Sequence, residues 1–88
     1  MDNQFLRTQM LLGGDAMNQL HRSHVAVFGL GGVGSYAVEA LVRSGVGELT
    51  LIDDDTVSPT NLNRQLEALH STVGQNKTDA LAARCRDI

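Results

Sequence analysis

Gly29-Leu30-Gly31-Gly32-Val33-Gly34 constrains the fold of this chain more than any other segment. It meets the spacing G-x-G-x-x-G, and its context decides what that spacing means. Directly before it runs His24-Val25-Ala26-Val27-Phe28, a short apolar, β-branched stretch that reads as a fully buried strand. Soon after it, Tyr36 to Gly45 has helical periodicity, with Val38, Leu41 and Val42 on one face and Gly45 as the stop. Strand, glycine turn and helix in that order open a β-α-β unit. In such a turn Gly29 permits the sharp reversal, and Gly31 and Gly32 let backbone approach a phosphate without a Cβ in the way. Gly34 lets the helix pack closely on the strand. The exposed N–H groups and the helix dipole favour an anion, so the loop is read as a nucleotide site.

The rest of the chain is arranged around that unit. Residues 3–12 form an amphipathic pattern with Phe5, Leu6 and Met10 on one side, ended by Gly13-Gly14. Asp15 is placed to cap a second helix running to about Arg22. Glu48 to Asp53 reads as the second strand, apolar and then abruptly acidic. A loop containing Pro59 follows, then a short helix from Asn61 to Leu69, another loop at Ser71 to Gly74, and a helix from Gln75 onward. The expected fold class is α/β: the N-terminal β-α-β portion of a Rossmann-like doubly wound sheet, preceded by short helices. Two parallel strands do not make a stable sheet alone, and Ile88 falls inside a helical pattern. Residues 1–88 are therefore read as the N-terminal part of a single nucleotide-binding domain whose sheet is incomplete in this chain.

Composition narrows the function. The net charge of −3 gives no overall positive field to attract nucleic acid or an anionic membrane. Any RNA-binding surface is then local or lies outside these residues. The single cysteine, Cys85, excludes an internal disulfide and a Cys-based zinc cluster, which fits a reducing, cytoplasmic setting. Cys85 sits among Leu81, Ala82 and Ala83 and reads as a packed or partly exposed thiol rather than a nucleophile. No apolar run approaches the roughly 20 residues that span a bilayer. His21, His24 and His70 lack metal-ligand spacing and read as structural or surface residues. Ser35 and Tyr36 read as helix-start and packing residues.

Asp53 ends the second strand roughly 20 positions beyond the glycine loop, where a carboxylate accepts hydrogen bonds from ribose hydroxyls. Asp54 and Asp55 beside it read as a solvated loop, and no metal site is assigned. To this point NAD fits as well as ATP. Arg64 and Lys77 separate the two. A pyrophosphate is held by loop and dipole, whereas a triphosphate attacked at its α-phosphorus calls for added cations. Read from spacing alone, both are also compatible with ordinary surface positions.

In order and spacing, GLGGVGS, LIDDDTV, TNLNRQ and VGQNK resemble the HesA/MoeB/ThiF family of ATP-dependent adenylating enzymes, relatives of the ubiquitin-activating enzymes. The resemblance runs from Arg7 to Ile88. Asp53-Asp54-Asp55, Thr60 to Gln65, Arg43 to Gly47 and the opening Phe5-Leu6-Arg7 are most similar to its tRNA threonylcarbamoyladenosine dehydratase branch. The resemblance implies that Gly32 and its neighbours hold the nucleotide and that Asp53 binds the ribose. It implies that Thr60 to Arg64 line the ATP site, with Asn61 and Arg64 nearest the phosphates and Lys77 at the α-phosphate. It implies that Arg7 enters the partner subunit's site across a homodimer interface. It further implies a magnesium ion whose aspartate ligand lies beyond residue 88, and a carboxylate substrate carried on tRNA. Three alternatives stay open: a sulfur-carrier or ubiquitin-like protein adenylyltransferase, an NAD-binding oxidoreductase domain, and a non-catalytic fragment that binds nucleotide weakly or dimerises.

Overall fold

The computed structural model describes residues 3–88. Along the chain come α1 (Leu6–Leu12), α2 (Gly14–His21), β1 (His24–Phe28), α3 (Gly32–Ser44), β2 (Glu48–Ile52) and α4 (Lys77–Arg86), with a 3-10 turn at Pro59–Asn61. The two strands are parallel and in register, from His24 opposite Glu48 to Phe28 opposite Ile52. The β-α-β reading therefore holds, with α3 as the crossover.

The core lies between one face of this sheet and two helices. Leu30, Val38 of α3 and Leu81 of α4 are fully buried, and Val27, Leu49, Leu51 and Cys85 pack against them. A second small cluster joins Val57, Ala68 and Ala80 under the long loop after β2. Gly45, in the left-handed region at φ +103°, ends α3 as the sequence requires.

Several expectations are corrected. The strands are half-buried on one face and exposed on the other, not fully buried, and Phe28 is 76% exposed. Parallel strands are buried on both faces only where helices cover both, and α3 and α4 cover one. The helix expected from Tyr36 begins at Gly32, so much of the glycine motif is helix rather than loop. Tyr36 is exposed, whereas Ser35 is buried and its Oγ accepts the Leu66 N–H (3.3 Å). Asp15 lies in the first turn of α2, which is preceded by Gly13 as its cap position. In α1 no residue is buried, and Met10 stands exposed.

The helix expected at Asn61 to Leu69 does not form. After the 3-10 turn the chain runs in successive tight turns, such as Arg64 N–H to Asn61 O and Ala68 N–H to Gln65 O. A Ser58–Asn61 capping box opens the 3-10 turn, with Asn61 Oδ1 accepting the Ser58 N–H (2.8 Å), and further on Thr72 Oγ1 supplies a competing bond by accepting the Leu69 N–H (2.9 Å). Short polar side chains that satisfy nearby backbone draw it away from the helix ladder.

One ion-pair network ties the two core helices together. Glu39 of α3 accepts from Arg84 Nε of α4 (2.8 Å) and from Arg43 Nε (2.7 Å). The Arg84 hydrogen bond, with help from Arg43, holds the Glu39 carboxyl down from 4.5 to about 2, against the opposing pull of burial. A carboxyl lowered on folding stabilises the fold above its unfolded value and loses that contribution as pH falls through its folded value. Glu39→Gln is expected to lower stability by on the order of 2 kcal/mol at neutral pH, a figure reduced for the exposed Arg43 arm. In thermal melts the gap from wild type should close as pH falls from about 4.5 to about 2. A gap that persists at the acid end sinks this account.

Candidate functional site

The carboxyl ends of β1 and β2 carry the site. Gly29 turns the chain with φ +88°, a conformation side-chain-bearing residues resist, and its N–H donates to Ile52 O (2.8 Å) at the end of β2. Leu30 then drops into the core, fully buried. Its N–H donates to Asp53 Oδ2 (2.7 Å), and the Asp55 N–H donates to Asp53 Oδ1 (2.8 Å). The Leu30 bond above all, then the Asp55 bond, holds the Asp53 carboxyl below the ordinary aspartate range, against the opposing effect of burial. Asp53 thus fastens the glycine turn to the second strand while remaining charged.

Gly31 precedes α3 with no side-chain cap, so the first-turn N–H groups of this 13-residue helix have no capping side chain. Gly34 passes directly beneath Gly29: a Cβ there would stand 1.8 Å from Gly29 O. This is the close packing the sequence pattern assigns to that glycine.

Arg64 comes to the same place from the far loop. A Cβ on Gly32 would lie 3.4 Å from Arg64 Cδ, so the side chain lies along the start of α3. Its Nη1 donates to Thr60 O (3.1 Å) and Asn63 Oδ1 (2.9 Å), and no carboxylate pairs with it among the described residues. Lys77 opens α4, and its N–H donates to Asp55 O (3.0 Å), strapping the helix start to the acidic turn. It is 6% exposed, yet no ion pair or side-chain hydrogen bond of Lys77 is formed among the described residues. Its charge helps lower the Asp53 carboxyl, which places the two groups in one field.

The fold therefore gathers Gly29, Gly31, Gly32, Gly34, Asp53, Arg64 and Lys77 at one edge. Thr60 and Asn61 border it, but Asn61 is buried and its Oδ1 is engaged by Ser58. Arg7 sits on the exposed α1 and forms no hydrogen bond or ion pair with the cluster among the described residues. None of the three histidines joins this cluster: His21 Nδ1 meets Gly45 O (2.8 Å), His24 Nδ1 pairs with Glu48 (2.9 Å), and His70 is exposed. Burial pushes the Cys85 thiol up, which disfavours the thiolate.

Sequence reasoning missed two buried polar groups, Gln65 and Glu67. Neither Glu67 oxygen and not the Gln65 Oε1 has a hydrogen-bond partner among the described residues. The apolar bracket Leu66, Ala68 and Leu69 was the available signal that Glu67 points inward. The carboxylates of Asp53, Asp54 and Asp55 lie within 4.8 Å of one another, and each Asp53 oxygen accepts one backbone N–H.

A family model described as "ThiF family" matches residues 4–88. The chain belongs to the ThiF family. The tRNA threonylcarbamoyladenosine dehydratase of Bacillus subtilis is 54% identical over 88 residues, covering 100% of this chain and 35% of that protein. The molybdopterin-synthase adenylyltransferase of Escherichia coli is 44% identical over 84 residues, covering 90% of this chain and 34% of that protein. The solved structure of Escherichia coli tRNA N6-threonylcarbamoyladenosine dehydratase in complex with ATP superposes with a TM-score of 0.93 at 46% identity, over 96% of this chain and 35% of that one. The chain spans about a third of the length of each of these two curated relatives. Its β-α-β unit is that of the Rossmann-like adenylating enzymes. No helix among the described residues is long and apolar enough to cross a membrane.

Proposed function

We propose that residues 1–88 are the N-terminal part of a single ATP-binding domain that activates a carboxylate by adenylation. The observation that carries this reading is the placement of two cations without a carboxylate partner among the described residues, Arg64 along the start of α3 and Lys77 at the head of α4, where its N–H is bonded to Asp55 O beside the end of β2. Two such cations beside an uncapped helix end suit a triphosphate better than a dinucleotide. Asp53, charged and at the strand end, takes the ribose.

The substrate in this reading is threonylcarbamoyladenosine in tRNA, supported by the name and 54% identity of the Bacillus subtilis relative. Its carboxylate attacks the α-phosphorus of ATP, forming an acyl-adenylate and releasing pyrophosphate. An internal nucleophile then attacks the acyl carbon, closes a ring and expels AMP, so the net change is a dehydration driven by ATP. The residues of this chain work by positioning and charge. The α3 N–H groups and Arg64 hold the phosphates, and Lys77 neutralises charge growing at the α-phosphate. A magnesium ion would add charge neutralisation. No step runs through it, because its family ligand is expected beyond residue 88. A homodimer with Arg7 reaching across, tRNA binding outside these residues, and a cytoplasmic setting complete the proposal.

The test is thermal stability of this chain with ATP and, separately, NAD. A ligand at about a hundred times its dissociation constant adds roughly 2.7 kcal/mol. For a domain this small that corresponds to a melting shift of roughly 10 °C or more. ATP should produce it and NAD should not. Stabilisation by NAD alone would overturn the reading in favour of a dinucleotide domain. The adenylyltransferase branch differs in substrate, so the full-length protein should consume ATP with modified tRNA and not with a carrier-protein C-terminus.

A further inference from the structure

Burying a carboxylate without a partner is costly, and this fold does it once among the described residues, at Glu67. The residue is 1% exposed, and neither Oε1 nor Oε2 accepts a hydrogen bond among the described residues. Thr72 Oγ1–H donates to the Glu67 backbone O (2.6 Å), which fixes its main chain and leaves the carboxyl free. Ala68, the next residue, packs against Ala80, one turn beyond Lys77 in α4. The packing thus brings the segment that carries the buried, unpartnered Glu67 carboxyl against the first turns of α4, where Lys77, 6% exposed, also has no side-chain partner among the described residues.

The charged groups around Glu67 come from three elements. Lys77 of α4 acts on it favourably, and Asp53 at the end of β2 acts unfavourably. Arg43 of α3, with Arg84 and Asp87 at the end of α4, lines the cavity that Glu67 borders, and both arginines are committed to Glu39. Lys77 is therefore the cation free to answer Glu67. Burial is the largest influence on its carboxyl and pushes it above the ordinary glutamate range.

We propose that Glu67 is a positioning residue for Lys77, setting how much of the ammonium's charge is free for a bound phosphate. This rests on the phosphate role of Lys77 proposed above. With its proton on, Glu67 is a neutral neighbour and Lys77 faces the anion alone. With its proton off, Glu67 competes with the phosphate for the same ammonium. An anion bound beside Glu67 favours the protonated form, so phosphate binding takes up a proton where Glu67 titrates. ATP affinity accordingly falls as pH rises through that range.

The experiment compares ATP dissociation constants of wild type and Glu67→Gln by calorimetry, from mildly acidic to mildly alkaline pH. Glutamine is close in shape to the protonated acid, and the ratio of the two constants cancels the titration of ATP itself. The expected ratio is near one at the acid end and grows to roughly tenfold tighter binding by Glu67→Gln at the alkaline end, the effect of about one pKa unit of coupling. A ratio that does not change with pH overturns the proposal, because a merely structural role would shift all pH values alike. A second arm needs no nucleotide: carbon-detected NMR follows the Glu67 carboxyl in wild type and Lys77→Met, or Lys77→Gln should the first not fold. Loss of the ammonium should move the titration midpoint upward, and an unmoved midpoint overturns the coupling. If the midpoint moves while ATP binds to neither wild type nor Glu67→Gln, the coupling is supported and the nucleotide reading alone falls.

Discussion

Gly34→Ala is expected to cost this fold roughly 3 kcal/mol or more, the upper end of what one added methyl does in a packed interior. The reason is geometric. An added Cβ at Gly34 would sit 1.8 Å from Gly29 O, which is backbone and cannot rotate aside. Gly29 in turn is held by its own N–H bond to Ile52 O, and Leu30 beside it is anchored in the core and to Asp53. Relief therefore requires α3 to lift from the strand end, which opens the contact among Leu30, Val38 and Leu81. Denaturant melts of wild type and Gly34→Ala measure this directly. Gly32→Ala is the internal comparison, because a Cβ there meets only the flexible Arg64 side chain at 3.4 Å. Equal stability of Gly34→Ala and wild type would refute this packing.

Lys77→Ala and Arg64→Ala are each expected to weaken ATP binding by roughly 10- to 100-fold, the scale of one charge-assisted contact. Alanine suits the first turn of α4, so Lys77→Ala should keep its helix. Arg64 is exposed and bonded only to its own loop, so its loss should leave the melting temperature nearly unchanged without ligand. Binding measured at two salt concentrations should show a shallower salt dependence in each variant, since a cation facing phosphate has been removed. Arg86→Ala, an exposed cation at the far end of α4, serves as the reference. If all three variants bind ATP as wild type does, Arg64 and Lys77 hold no phosphate, and the proposed function loses the observation that carries it.

The β-α-β unit was legible because its signals are local. A β-branched run, a glycine turn, a 3.6-residue periodicity and a terminal aspartate each follow from neighbours in sequence, and the unit they predict forms, with its helix starting at Gly32 rather than Tyr36. Spacing alone gives Gly29 and Gly34 distinct tasks, since a sharp turn asks for one conformation and a close helix contact asks for a missing Cβ; both needs are met at those positions. The segment from Asn61 to Leu69 was not legible. Its residues read as a short helix, but Thr72 offers the Leu69 N–H a nearer partner, and such competition depends on where the chain already is.

Burial was the other failure, and it has one cause. Apolar β-branched strands announce that something should cover them, not what does. Here α3 and α4 cover one face, and Phe28 and Ile52 stay open on the other. The same holds in reverse for charge. The sequence by itself determined the turn, the helix stop at Gly45, the acidic strand end and the presence of Arg64 and Lys77, because those depend on residue type and short spacing. Only the tertiary structure decided that Arg64 lies along the start of α3, that both oxygens of Asp53 are engaged by backbone, and that Glu67 is buried without a partner among the described residues. Those are contacts between segments far apart in the chain, and they exist only once the loop after β2 has folded back over the sheet edge.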